Sequence, residues 1–250
     1  MLEIKNLTKI YEGDVKALDN VSFKVEKGEF LAVIGLSGSG KSTLLRCINR
    51  LIEPTKGQII WDGVDVTAAS QDEMLKIRRK FGMVFQHFNL VTRSKVLTNV
   101  LAGRLGYINP AMSLINRFPK TDIEMAFKQM DRVGIADQAY KRADELSGGQ
   151  QQRVGIARAM MQEPEMILAD EPVASLDPVL AHSIMSYLET INKEDGVMVL
   201  CSLHFLDLVH SYADRAIALN DGLLVFDGSP QEIDDQKFKD IYGREAERVG

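Results

Sequence analysis

One stretch limits what this chain can become: Leu31-Ala32-Val33-Ile34-Gly35-Leu36-Ser37-Gly38-Ser39-Gly40-Lys41-Ser42-Thr43, an apolar run that passes straight into a glycine-rich turn and then into a helix. The spacing Gly35-x4-Gly40-Lys41-Ser42 is the P-loop pattern. Glycines let the backbone curl so that successive N–H groups point at nucleotide phosphates. Lys41 neutralises phosphate charge, and the Ser42 hydroxyl is a candidate Mg²⁺ ligand. With average residue usage, the bare pattern arises by chance in a chain this long about one time in a hundred. The context makes coincidence rarer still, because Phe30 to Ile34 reads as a buried strand and Leu44, Leu45 and Ile48 open a helix with an apolar face.

With 250 residues, the chain can bury a large core. Lys and Arg number 30 against 35 Asp and Glu, a net charge of −5, which argues against a dedicated nucleic-acid binder. The two cysteines, Cys47 and Cys201, sit in apolar surroundings on an expected helix and strand, without metal-ligand spacing. They read as reduced core thiols of a cytosolic protein. The N-terminus lacks a secretory pattern, and no apolar run approaches the ~18 to 20 residues that span a bilayer. If this protein works at a membrane, other chains must cross it.

Before the P-loop, Leu2-Glu3-Ile4 and Val21-Ser22-Phe23-Lys24-Val25 alternate as half-buried antiparallel strands do, with turns at Glu12-Gly13 and Lys27-Gly28. Tyr11 falls between them on an expected loop, either as an aromatic platform for a base or as an edge-strand tyrosine packing on a neighbour. After the P-loop helix, Gln58 to Gly63 reads as a short strand and turn, with Trp61 as a packing residue. Ser70 to Arg79 reads as a polar helix and Phe81 to Phe85 as a buried strand ending at Gln86. If that strand lies beside the P-loop strand, the Gln86 amide can reach Mg²⁺ or an attacking water; otherwise it is an ordinary loop amide.

From His87 to about Gln162 the period changes to helical, with apolar faces over Val96 to Arg104, Asp122 to Val133 and Gly149 to Met161. A helical lobe is thus inserted between strands, with a loop or partly helical segment expected over residues 107–120. Phe88, Leu90 and Val91 either line a groove for a partner helix or pack within the lobe. Leu146-Ser147-Gly148-Gly149-Gln150 opens the last of these helices, giving a second anion-binding corner or simply a capped helix start. About twenty residues on, Met166 to Ala169 form an apolar strand ending in Asp170-Glu171. Asp170 can reach the Mg²⁺ shell, and Glu171 can hold and polarise water opposite a γ-phosphate.

In this order, these motifs resemble those of the ATP-binding cassette (ABC) ATPases, over nearly the whole chain from Leu2 to about Gly228. The resemblance implies roles for individual residues. Tyr11 stacks on adenine, and the Walker A loop brings Ser37, Gly38, Ser39, Gly40, Lys41, Ser42 and Thr43 to ATP. Gln86 is the Q-loop residue, at both nucleotide and metal. Ser147, Gly148, Gly149 and Gln150 form the signature, and Asp177 belongs to the D-loop Ala174-Ser175-Leu176-Asp177. Ser42, Gln86 and Asp170 are the implied Mg²⁺ ligands. Glu171, Gln86 and the switch histidine His204, after the strand Val197 to Leu203, are the implied catalytic residues. Leu203 departs from the family, where threonine is frequent.

Finer features resemble the ATPase subunits of phosphonate importers: Gln86 to Val91, Asn99 to Tyr107 and Leu203 to Leu208. The implied fold is an α/β P-loop NTPase. It has a mostly parallel core sheet, an antiparallel N-terminal β-subdomain and an inserted helical subdomain, making one nucleotide-binding domain over residues 1–250. Its parts are an ATP-binding core (1–86 and 163–228), the helical subdomain (87–162) and a C-terminal helical tail (229–250). The implied function is ATP hydrolysis driving a membrane importer for phosphonate or a related phosphorus oxyanion such as phosphite, from the cytoplasmic face of the inner membrane. Amino acids, methionine and phosphate are the rival solutes. The implied partners are a second copy of the chain placed head to tail, two transmembrane permease subunits and an external solute-binding protein, with no nucleic acid. Against a DNA-repair cassette stands the lack of a long coiled coil between P-loop and signature. A translation cassette would carry two copies on one chain, and a P-loop kinase would lack the signature.

Overall fold

The computed structural model describes residues 1–109 and 117–242. Residues 110–116 of the expected insertion and 243–250 of the expected tail lie outside the described residues. The first sheet has the order β2-β1-β4-β5 and is antiparallel, with β1 at Leu2–Tyr11, β2 at Val15–Val25, β4 at Lys56–Trp61 and β5 at Val64–Asp65. The second has the order β10-β9-β3-β8-β7-β6. It comprises β3 (Phe30–Ile34), β6 (Phe81–Val84), β7 (Met166–Ala169), β8 (Met198–Ser202), β9 (Arg215–Asn220) and β10 (Leu223–Gly228). Its strands run parallel except at the β9–β10 hairpin.

A strand buried on both faces needs no polar residue, which is why β3, β7 and β8 are almost continuous apolar runs. Their side chains still alternate. Phe30, Ala32 and Ile34 of β3 join one core with Ile167 and Ala169 of β7 and Val199 and Cys201 of β8. Leu31 and Val33 join the opposite core with Leu168, Leu200 and the P-loop helix residues Leu44, Leu45 and Ile48. The sheet is therefore a partition between the helical segment on one side and the antiparallel sheet with the P-loop helix on the other.

The helices Val96–Leu101, Lys120–Arg132 and Gly148–Met160 form the connection between β6 and β7, which pair directly and in parallel. A parallel pair needs a crossover, and here that crossover is the inserted helical segment. Gly103, in the short 3-10 turn Ala102–Arg104 after the first of these helices, lets that turn approach the helix Gly148–Met160, since a Cβ there would lie 2.2 Å from the Arg158 carbonyl oxygen. Ser70 starts the polar helix Gln71–Arg79 with a reciprocal capping box to Glu73.

Two expectations need correction. The strand before Gln86 does not lie beside the P-loop strand: β8 and β7 stand between β3 and β6. An apolar pentapeptide announces burial on both faces, but its neighbours are set by crossovers elsewhere in the chain. Nor is Tyr11 on a loop. It is the last residue of β1, paired with Val15, because β1 runs on through a series of register shifts.

Both cysteines are buried and unbridged, on the P-loop helix and β8 as expected. Burial pushes the Cys47 thiol up to about 12 and raises Cys201 as well. Since the thiolate is the reactive form, the folded protein at pH 8 holds on the order of 10⁻⁴ of Cys47 in that form. Ellman's reagent is expected to titrate neither thiol within minutes under native conditions and both in denaturant.

Candidate active site

In a parallel sheet all strands end on one edge, so the segments following them are brought together there. The P-loop follows β3, Gln86 follows β6, Asp170-Glu171 follow β7, and His204 follows β8. A cleft of about 270 Å³ opens at this edge, lined by Ala17, Ser37, Gly38, Gly40, Lys41, Ser42, Thr43, Gln86 and Glu171.

The turn closes only with glycine at two positions. Gly35 and Gly40 have φ of +139° and +107°, and a Cβ would lie 2.1 Å from the Leu219 carbonyl oxygen at the first and 2.2 Å from that of Ala17 at the second. Lys41, buried at the start of the P-loop helix, folds its ammonium back over the turn and donates to the carbonyl oxygens of Gly35 and Leu36, each at 2.9 Å. The third direction faces Glu171 Oε1 at 3.8 Å. Burial lowers the Lys41 pKa, against the opposing pull of the Glu171 and Asp170 carboxylates.

Asp170 is fully buried, and both its oxygens are engaged. Ser42 Oγ donates to Oδ1 at 2.6 Å and the Arg46 guanidinium to Oδ2 at 2.9 Å. A buried carboxylate is tolerable when its charge is paired and its lone pairs are filled, and Arg46 with Ser42 does both. Glu171 takes φ of +47°, a strained conformation for a non-glycine residue. Its Oε1 lies 2.6 Å from His204 Nε2. The donors here are a hydroxyl, a carboxylate and the nearby Gln86 amide, all hard oxygens that suit Mg²⁺. That ion keeps several waters and arrives with nucleotide phosphates, without needing a cage of protein carboxylates. Among the described residues no group of three or more His, Cys, Asp or Glu could hold a metal by itself.

Not every expected residue reaches the cleft. The Ser39 side chain is buried with an unpartnered hydroxyl, packed toward Gly35. Tyr11 stands at the margin, its hydroxyl 3.4 Å from Thr43 Oγ1 and one ring face 5.0 Å from Lys9 Nζ. Ser147 caps the helix Gly148–Met160, accepting from Gln150 N–H, while Gln150 Oε1 accepts from Ser147 N–H at 3.0 Å. Gly148 packs near Leu176 and Phe88, and Gly149 against Leu180. Asp177 accepts from Leu180 N–H at 3.0 Å and caps the helix Pro178–Asp195. None of Ser147, Gly148, Gly149, Gln150 and Asp177 lines the cleft.

Sequence reasoning missed three residues. Arg46 stands four residues after Ser42, hence on the same helix face, and that spacing could have found it. Ser202, a hydroxyl within an apolar strand two residues before His204, was also visible as an anomaly. Ala17 carries no signal, since it contributes a backbone wall.

A model described as ABC transporter matches residues 18–174. The chain belongs to the ABC transporter family. Its ABC relatives include the Phosphonates import ATP-binding protein PhnC of Shouchella clausii (strain KSM-K16), 53% identical over 244 residues that cover 98% of this chain and 92% of the relative. PhnC 3 of Halalkalibacterium halodurans is 48% identical, covering 98% and 95%. Among solved ABC structures, the dimeric post-hydrolysis state of the cassette MJ0796 bound to ADP and Pi superposes with a TM-score of 0.82. It has 35% identity and covers 92% of this chain and 99% of that one. A nucleotide-free ABC cassette gives 0.81 at 31% identity, covering 96% and 94%. The ABC fold, with its parallel core sheet, antiparallel N-terminal sheet and helical crossover, is thus the one the sequence implied.

Proposed function

We propose that this chain is the ATP-hydrolysing motor subunit of an importer for phosphonates or a related phosphorus oxyanion such as phosphite. The observation that carries the chemistry is the gathering of Lys41, Ser42, Gln86, Asp170, Glu171 and His204 at one sheet edge. Support for the solute comes from the two PhnC relatives above, which match almost end to end. The reading takes the chain as one nucleotide-binding domain, with an ATP-binding core over 1–86 and 163–228, a helical subdomain over 87–162 and a tail over 229–250.

In this reading the P-loop amides from Ser37 to Thr43 receive the phosphates, Lys41 exchanges its bonds to Gly35 and Leu36 for phosphate oxygens, and Tyr11 takes the adenine. Ser42, Asp170 and Gln86 would hold Mg²⁺, which when bound would supply neutralisation of phosphate charge. Glu171 orients the attacking water and draws on its proton. His204, hydrogen-bonded to Glu171, holds that carboxylate in place and contacts the γ-phosphate. Gln86, at the start of the segment leading into the helical crossover, links the cleft to the surface where a permease docks.

Among the described residues no helix is long and apolar enough to cross a membrane. The proposed assembly is accordingly a head-to-tail pair of these chains bound at the cytoplasmic side of two permease subunits, which take solute from an external binding protein. A host lacking this chain is expected to lose growth on a phosphonate or phosphite as sole phosphorus source while still using amino acids; growth unchanged on both phosphorus sources overturns the solute assignment. A mild-detergent pull-down is expected to recover a multipass membrane chain, and recovery of ribosomes or DNA ends in its place overturns transport.

A further inference from the structure

The strand end that leads to His204 also grips the other end of Glu171. Ser202, the last residue of β8, is fully buried between apolar neighbours. Its Oγ accepts the Glu171 backbone N–H at 2.8 Å, while the hydroxyl proton has the Ala169 carbonyl oxygen at 3.4 Å and Asp170 Oδ1 at 3.5 Å within reach. One side chain thereby touches three consecutive residues at the end of β7. Backbone pairing between the two strands ends at Ala169 opposite Cys201, and the next N–H, that of Asp170, turns the other way to the Val84 carbonyl oxygen at 2.9 Å. At Glu171 a side chain carries on the ladder where backbone leaves off.

We propose that Ser202 is a positioning residue for hydrolysis, its hydroxyl holding Glu171 in the left-handed turn that keeps the Glu171 carboxylate at the cleft. Left-handed backbone at a non-glycine residue persists only when its surroundings over-determine it. Glu171 is fixed at both ends, its N–H by Ser202 and its carboxylate by His204, and both partners lie within residues 202–204. Without the hydroxyl, a part-buried N–H loses its acceptor and the turn is free to relax toward ordinary strand geometry, which withdraws the carboxylate from water. P-loop contacts to nucleotide do not pass through Ser202, and Asp170 Oδ1 is held by Ser42 at 2.6 Å against 3.5 Å to Ser202, so the effect falls on turnover far more than on affinity. The inference rests on the proposed reading of Glu171 as the residue that activates water.

Steady-state ATP hydrolysis and equilibrium ATP binding are measured for Ser202→Ala, Ser202→Thr, Ser202→Val, Glu171→Gln and the double variant Ser202→Ala/Glu171→Gln. Ser202→Ala is expected to lower kcat by about 10- to 100-fold, the scale of a small misplacement of a reacting group, with ATP affinity within about twofold of wild type. Ser202→Thr, which keeps the hydroxyl, is expected to hold more turnover than Ser202→Val, which has its size without the oxygen. The double variant is expected to be no slower than Glu171→Gln alone, because Ser202 acts through Glu171. Wild-type turnover in Ser202→Ala beside an inactive Glu171→Gln overturns the inference and leaves the Glu171 reading intact. Loss of ATP affinity in step with loss of rate overturns it too, as that marks general damage. Wild-type turnover in Glu171→Gln sinks the Glu171 reading itself, and the inference with it.

Discussion

Glu171→Gln is expected to bind Mg-ATP about as tightly as the wild-type protein and to lose turnover by at least about 10²- to 10⁴-fold, the range in which a positioned general base contributes. The amide has the shape of the carboxylate and can keep a hydrogen bond to His204 Nε2, which now lies 2.6 Å from Oε1. It cannot accept a proton from water, and its weaker dipole polarises water less. Lys41→Ala should fail one step earlier. Its ammonium is already desolvated and held by two carbonyl oxygens, and phosphate binding exchanges those neutral acceptors for charged ones, a contact about twice as strong. Isothermal titration with ATP separates the two variants: Glu171→Gln should retain the heat of binding and Lys41→Ala should lose most of it. Hydrolysis by Glu171→Gln at the wild-type rate would rule out Glu171 as the base.

Much of this site was legible in the sequence because its chemistry is local. The P-loop spacing, the Ser147–Gln150 helix start and the carboxylates after Met166 to Ala169 each depend on a few consecutive residues, and the structure has them where the pattern implied. What depends on strand order was not legible. Apolar runs told that β3, β6 and β7 are buried but not that two strands separate β3 from β6, and so Gln86 reaches the cleft from a more distant strand than its spacing suggested. Arg46 and Ser202 escaped for a different reason. Each acts by filling the hydrogen-bonding needs of Asp170 and Glu171, and a residue whose role is another residue's partner leaves only an indirect trace in sequence, the spacing from Ser42 for Arg46 and a polar side chain among apolar ones for Ser202. The hairpin Arg215–Gly228 and the helix Pro178–Asp195 were not called from the pattern either, although the Asp177-Pro178 start and Gly196 end of that helix follow ordinary capping chemistry.

Under the proposed head-to-tail pairing the cleft of one chain is only part of the site, and a second large effect is expected from it. Ser147, Gly148 and Gly149 lie outside it, yet the signature helix presents free N–H groups and the positive end of its dipole. Large apolar side chains are left exposed beside the same motifs, Val179 in the first turn after Asp177 and Phe205 next to His204. In the proposed two-fold, head-to-tail pairing, Val179 and Phe205 would be covered and the signature of each copy would be brought to the phosphates held by the other's Lys41 and Ser42. The MJ0796 cassette, whose fold this chain shares, is described as dimeric with ADP and Pi bound. Each pure variant, Lys41→Ala or Ser147→Arg, should therefore be inactive, since every composite site lacks one element. When the two are mixed, a heterodimer collects both defects in one site and leaves the other whole. Random pairing makes half of the dimers heterodimers with one sound site of two, so independent sites should recover about a quarter of wild-type hydrolysis. Chains that each hold a complete site recover nothing on mixing, because every chain carries its own defect. In gel filtration Glu171→Gln should run as a monomer without nucleotide and as a dimer with Mg-ATP, since in the proposed pairing ATP, its charge shared by donors from both copies, would hold the interface until it is cleaved. Full hydrolysis by a strictly monomeric chain at high dilution would show that the site is not shared.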